Sequence, residues 1–241
     1  MADIQKTAIV TGASQGIGLA LVEAFLKRGY NVVANSRKIS STDSLPASAN
    51  LALVDGNIGE AQTAAKIVET AVSRFGRIDV LINNAGIFIP KPFTDYTNED
   101  FDALMSTTLA GFLHISQLTV KQMVGQKSGS IVNVSTTLVD HPVAGVPVTV
   151  QVMAKGGLNA VTRALALEYI KDGIRVNTVA LGVIKTPMHR PETYEFLKGL
   201  HPMGRLGEVH EVVDAVLFLT DATFTTGEIL HVDGGAHAGK W

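Results

Sequence analysis

The chain has no cysteine among its 241 residues. Disulfides, thiolate nucleophiles and cysteine-held metals are therefore excluded as sources of stability or chemistry. An excess of one charge is lacking too: 20 Lys+Arg stand against 22 Asp+Glu, a net charge of −2. That balance offers no electrostatic footprint for nucleic acid or for an anionic membrane surface. No uncharged apolar run approaches the ~20 residues that a membrane helix needs. The opening Met-Ala-Asp-Ile-Gln-Lys-Thr is too polar for a signal peptide. A cytoplasmic protein is the expectation. Aromatic residues are scarce at 6%, and the one tryptophan is the last residue, Trp241. The length suits one α/β domain with a sizeable core, or at most two small domains.

What is present is an alternation. Short β-branched runs at Thr7–Thr11, Asn31–Ala34, Leu51–Val54, Ile78–Asn83, Ser130–Val134, Ile174–Ala180 and Glu228–Val232 read as strands. Between them, Leu19–Arg28, Ala61–Phe75, Phe101–Val124, Val150–Ile170 and Val209–Leu219 carry apolar residues at helical spacing. This order predicts parallel strands joined by right-handed crossovers, with helices on both faces. The predicted fold is a single α/β domain of the Rossmann type, a doubly wound parallel sheet spanning 1–241. The segment Lys185–Gly207, rich in Pro, His and Gly, breaks the alternation and reads either as a surface loop or as a substrate lid.

Gly12-Ala13-Ser14-Gln15-Gly16-Ile17-Gly18 joins the first strand to the first helix. Its glycines let the backbone turn tightly and approach a diphosphate seated on the helix N-terminus. Four further stretches follow in order: Asn83-Asn84-Ala85-Gly86, Lys155 on the helix after the fifth strand, Gly182 to Met188, and Thr226-Gly227-Glu228 through Val232-Asp233-Gly234-Gly235. Together they resemble the short-chain dehydrogenase/reductase family, over nearly the whole chain.

The resemblance implies a seven-stranded sheet, an NAD(P)(H) cofactor and a homotetramer or homodimer. Gly12, Ser14, Gln15, Gly16, Ile17 and Gly18 would hold the diphosphate. Asn57 and Ile58 would flank the adenine, with Asn57 where the family usually has aspartate. Asn84, Ala85 and Gly86 would line the adenosine ribose side. Gly182, Ile184, Thr186 and Met188 would hold the nicotinamide end; Leu181 replaces a usual proline. After the second strand, in Asn35-Ser36-Arg37, Ser36 stands where NAD-specific members carry an acid. Without that carboxylate, Arg37 can pair with a 2′-phosphate, so NADP(H) is the expected cofactor.

The family's catalytic groups are Asn, Ser, Tyr and Lys. Here Lys155 matches the lysine, which would also bond the nicotinamide ribose. The tyrosine position, four residues earlier on the same helical face, is Gln151. Through Asn133-Val134-Ser135-Thr136 the serine position becomes Thr136, although strict counting from Gln151 gives Leu138. The asparagine position is Thr108. A phenol beside a cation can act as a general acid, whereas a carboxamide has no usable titration. Replacement acids on offer are Tyr96, Asp140, His141, His189 and Tyr194.

Three functions fit these residues. The first is an NADPH-dependent carbonyl reductase with a relocated proton donor. The second is an imine reductase, whose protonated substrate brings its own proton but needs a carboxylate to offset Lys155. The third is a non-catalytic NADP(H)-binding sensor or scaffold. Phe88, Ile89, Val143, Val146 and Met153 fit a hydrophobic substrate, a core or an interface. The helices around Phe101–Val124 and Val150–Ile170, and the last helix and strand, are the expected subunit faces. The terminal Trp241 reads as a docking residue or a frayed end.

Overall fold

In a computed structural model, which describes residues 4–42 and 44–239, seven strands form one sheet in the order β3-β2-β1-β4-β5-β6-β7. They are β1 (Thr7–Thr11), β2 (Asn31–Ser36), β3 (Leu51–Asp55), β4 (Val80–Asn83), β5 (Gly129–Thr136), β6 (Ile174–Leu181) and β7 (Ile229–Val232). Every pairing is parallel. Both faces are therefore covered, and the strands read as continuous apolar runs rather than alternating ones.

Successive residues of β1 serve opposite sides. Ala8 and Val10 pack with Leu21 and Phe25 of α1 (Gly16–Lys27) and Val212 and Val216 of α7 (Val209–Asp221). Ile9 faces the other layer, with Ile67 of α2 (Ala61–Phe75) and Ile115 of α4 (Gly111–Gln126). All of these side chains are fully buried. At roughly 25 cal/mol per Å² of apolar surface, such burial is the main force holding the layers. Helix α2 buries Thr63, Ala64, Ile67 and Ala71, one stripe at helical spacing, and stops at Gly76, whose φ of 79° a side chain would resist.

The expected long helix over Phe101–Val124 is interrupted. Helix α3 (Asn98–Met105) starts on a capping box, in which Thr97 and Asp100 exchange side chain-to-backbone bonds. A π turn over Ser106–Ala110 then leads into α4. The turn lies where the helix passes the loop after β3: a Cβ on Gly59 would fall 2.2 Å from Ser106 Oγ, and one on Gly111 would fall 3.0 Å from Ile58 Cγ2. Two other boundaries shift for local reasons. Helix α1 begins at Gly16, three residues before its expected start, because the glycine turn itself feeds the helix. Strand β4 begins at Val80; just before it, Ile78 N donates to Gln126 Oε1, and Asp79 bridges both neighbours, its N–H donating to Thr7 O, its carbonyl accepting Ser130 N and its carboxylate accepting Thr7 N.

Helix α5 (Thr149–Glu168) buries Gln151, Lys155, Leu158, Asn159 and Thr162 on one face. It is fixed by a buried polar chain. Asn83 Nδ2 donates to Asn133 Oδ1 (2.9 Å), Asn133 Nδ2 donates to Thr162 Oγ1 (2.9 Å), and Thr162 meets the Thr178 hydroxyl (2.7 Å). Three strands and α5 are thereby held in one register. Between β6 and α7, residues 185–207 hold a short helix, α6 (Tyr194–Lys198), preceded by a 3-10 turn at Pro191–Thr193. The ends of this segment are tied together, since Lys185 N donates to Gly207 O and Gly207 N to Val183 O. The expectation for Trp241 falls on residues 240–241, outside the described residues. No helix of the described residues is long and apolar enough to cross a membrane.

Candidate active site

A cleft of about 730 Å³ opens along the C-terminal ends of the strands. It spans the switch point between β1 and β4, where an open α/β sheet offers its natural crevice. One wall is the glycine turn. Gly12 and Gly16 have φ of 67° and 58°, in the left-handed region. A Cβ on Gly18 would lie 2.2 Å from Gly12 O and 2.7 Å from Asn84 Nδ2, so the turn and α1 touch with no space for a side chain. Asn84 braces the turn by donating to Thr11 O (2.9 Å) and Gly12 O (3.2 Å). Helix α1 has no side-chain cap and no acidic residue in its first turn. Its first N–H groups are left for an anion.

At the β2 end of the cleft, Asn35 donates to Val54 O and Gly56 O, which fixes the end of that strand. Ser36 and the exposed Arg37 follow it at the rim. Asn57 uses its carboxamide oxygen to accept Gly59 N (3.1 Å), a local turn bond.

At the opposite end the cleft becomes apolar, with Phe88, Val143, Val146, Met188, Phe196 and Leu197 among its lining. Lys155 and Gln151 stand on its floor, 7% and 4% exposed. The Lys155 ammonium donates to Val134 O at 2.7 Å. Burial alone lowers its pKa to about 8. The Gln151 Oε1 is buried without a hydrogen-bond partner. Among the described residues lining the cleft, none is Asp or Glu; the ionisable ones are Arg37, Lys155, His189 and His201. Burial pushes the imidazoles of His189 and His201 below the ordinary histidine range. No group of described residues is arranged to hold a metal ion.

A family model described as enoyl-(acyl carrier protein) reductase matches residues 12–237. The chain belongs to the short-chain dehydrogenase/reductase family. A glucose 1-dehydrogenase from Gluconobacter oxydans (strain 621H) is 36% identical, covering 95% of this chain and 91% of the relative. A 3-oxoacyl-[acyl-carrier-protein] reductase FabG from Thermotoga maritima is 35% identical, covering 95% and 97%. The solved structure of a 3-ketoacyl-(acyl-carrier-protein) reductase from Brucella melitensis complexed with NADH superposes with a TM-score of 0.90 at 28% identity, over 98% of this chain and 100% of that one. ElxO with NADP bound gives 0.88 at 28% identity, over 98% and 100%. A short-chain dehydrogenase/reductase works on a nicotinamide cofactor, and the tight glycine turn, the uncapped α1 and the exposed guanidinium of Arg37 fit one here.

Set against the family's positions, every expected cofactor residue lines the cleft, as do Lys155, Gln151 and Thr136. Thr108 does not. It lies in the π turn, 3% exposed with its hydroxyl unpartnered, and its neighbours Ser106 and Thr107 face the cleft instead. The expectation for Thr108 rests on aligning Thr108-Leu109-Ala110-Gly111 with the family's motif, which does not register that the π turn buries this side chain. The Thr136 hydroxyl is engaged locally, donating to Leu181 O and accepting Leu138 N.

Of the five replacement acids, only His189 reaches the cleft. Tyr96 donates to Ile89 O (2.6 Å), and Asp140 pairs with His231 (3.3 Å). His141 packs edge-on to His237, and Tyr194 lies at a separate surface hollow with Lys185 and Lys198. Ile89 and Met153 also stay out of the cleft; Met153 is on the outer face of α5, half exposed. His201 was not singled out by sequence. Its signal was its place at the end of the 185–207 segment, from which it folds back to Val183.

Proposed function

We propose that this protein is an NADPH-dependent reductase of a C=O bond in a small, apolar, uncharged substrate. The observation that carries the reading is the cleft's composition: a dinucleotide cradle that runs into an apolar end, with one buried cation and no carboxylate. Bound there, a reduced nicotinamide supplies the two electrons and the carbon-bound hydrogen. The chain's own groups do the rest. The turn Gly12–Gly18 with the N-terminus of α1 holds the diphosphate, and Arg37 pairs with a 2′-phosphate that no acid at residue 36 repels. Gly182, Ile184, Thr186 and Met188 hold the far end of the cofactor. The 185–207 segment covers the cleft with Met188, Phe196, Leu197 and Leu200 and serves as a lid that keeps water from the reacting carbon.

The same composition weighs against an imine substrate. A protonated imine beside Lys155 needs a compensating carboxylate, and the one suggested for that task, Asp140, is paired with His231. Exposed apolar side chains support a homotetramer or homodimer: Phe101, Leu113, Met153 and Leu167 on α3 to α5, and Phe218 with the adjoining Phe224 by α7.

The test is a panel of apolar ketones, diketones and cyclic imines, followed by loss of reduced cofactor. Turnover of ketones with NADPH, and much less with NADH, is the expected result. Turnover of imines alone, or tight NADPH binding with no turnover of any compound, would sink the reading. In the second case the chain is a cofactor-binding sensor or scaffold.

A further inference from the structure

Carbonyl reduction leaves an alkoxide that must acquire a proton, and residue 151 has none to give. The cleft's own inventory narrows the source. Arg37 sits at the rim by Ser36, at the adenosine end, and a guanidinium does not deprotonate in a protein. His201 is engaged as an acceptor, its Nε2 taking the Val183 N–H at 2.9 Å. His189 stands on the lid, its ring edge-on to Phe88 with centroids 6.5 Å apart, and burial favours its neutral form.

Lys155 differs on each count. It lies on the same face of α5 as Gln151, one turn further on. Its Nζ spends one of three N–H bonds on Val134 O. Across from it is Gly86, where a Cβ would come within 3.5 Å of Nζ, and both residues line the cleft.

We infer that Lys155 is the proton donor of the reduction, delivering a proton to the substrate oxygen while the Gln151 carboxamide beside it hydrogen-bonds that oxygen. The inference rests on the carbonyl-reductase reading. The carbonyl carbon gains two electrons and a hydrogen, which a bound reduced nicotinamide would supply. The C=O π pair moves to oxygen, one N–H bond of Lys155 breaks and an O–H bond forms. The neutral amine then regains a proton from water. An amine whose pKa lies near 8 suits this task, since it is charged at neutral pH yet gives up its proton readily.

The experiment joins kinetics, binding and spectroscopy on the full chain. Lys155→Arg keeps the cation and its hydrogen bonds but holds its proton too tightly to transfer it. It is expected to bind NADPH, followed by cofactor fluorescence, within about threefold of wild type. Its kcat for a ketone is expected to fall by ~10²-fold or more. In wild type the rate should decline above about pH 8, the pKa of Lys155. The Nζ resonance of Lys155 in ¹⁵N-lysine-labelled protein should titrate with the same midpoint. Retention of kcat by Lys155→Arg overturns the inference. So does displacement of the alkaline limb by His189→Gln. Should the arginine variant fold poorly, the wild-type comparison decides: a limb more than about one pH unit from the Nζ midpoint is equally fatal. A wild type that binds NADPH and reduces no carbonyl defeats the underlying reading instead, so the two failures are distinguishable.

Discussion

The Nε2 of His201 accepts the backbone N–H of Val183 at 2.9 Å, fastening the 185–207 segment to the chain just beyond β6. Only the neutral ring can accept, and several influences bear on its charge. Burial is the largest and lowers the pKa; the Asp233 carboxylate and the Leu197 carbonyl oppose it, and the Arg205 cation adds to it. The folded pKa therefore lies below the ordinary 6.5. Between the two values the unfolded chain binds more protons, so this contribution is complete above pH 6.5 and is lost as pH falls toward the folded pKa. Thermal scans from pH 8 to 5 should show wild type losing more stability than His201→Ala, with the His189 contribution common to both. Parallel curves would count against the fastening.

Lys155 carries a cost of the opposite kind. Its ammonium is buried with no counter-ion among the described residues, and burial lowers its pKa from 10.5 to about 8. The unfolded chain holds the extra proton between those values, so stability rises with pH across that window and the full cost is present below pH 8. That cost is about 3 kcal/mol, less about 1 for the bond to Val134 O. Lys155→Met should therefore raise the melting temperature at pH 7 by roughly 3–8 °C while abolishing ketone reduction. A lower melting temperature would refute the idea that function is bought here with stability.

Gly18 and Gly29 separate crowding from backbone strain. Gly29 has φ of 79° with nothing within 4 Å of a hypothetical Cβ. Gly29→Ala should cost about 1 kcal/mol and leave NADPH binding alone. At Gly18 a Cβ would strike Gly12 O at 2.2 Å. Gly18→Ala should cost about 1–3 kcal/mol and weaken NADPH binding by ~100-fold, because the diphosphate turn itself must move. Denaturant unfolding and fluorescence titration of both variants check the contrast; equal binding in the two would contradict it.

Ser36→Asp places a carboxylate at the end of β2, beside Arg37. The new charge should pair with Arg37, repel a 2′-phosphate and bond ribose hydroxyls. The ratio of kcat/KM for NADPH over NADH should fall by roughly 10²-fold, the scale of a lost charge-assisted pair of hydrogen bonds. An unchanged ratio would remove Arg37 from the recognition of the cofactor.

The sheet was legible because the inner strands are short apolar runs buried on both faces, and β1 and α2 fall on their expected residues. The cofactor cradle was legible for a related reason: its requirements are backbone requirements, and glycine is the residue that meets them. What sequence concealed depends on three-dimensional neighbours. The π turn at Ser106–Ala110 answers to Ile58 and Gly59, about fifty residues earlier, and it removes Thr108 from the cleft. Tyr96, Asp140, His141 and Tyr194 were plausible acids until their partners were known. His201 gained its place through a contact with Val183 that no local pattern announces.

The missing carboxylates have a kinetic consequence as well as a chemical one. The molecule as a whole carries a net charge of −2, so at long range it mildly repels a multiply charged nucleotide. Inside the cleft the sign reverses, because Arg37 at the rim and Lys155 on the floor have no acidic counterpart among its described lining. Under the proposed function, field lines concentrated between low-dielectric walls should draw the nucleotide inward over the last few ångströms, its 2′-phosphate toward Arg37. Because the Debye length shrinks to about 8 Å at physiological ionic strength, salt screens the distant repulsion more effectively than the attraction within the walls. Capture of the cofactor is thus least salt-sensitive where its orientation is decided.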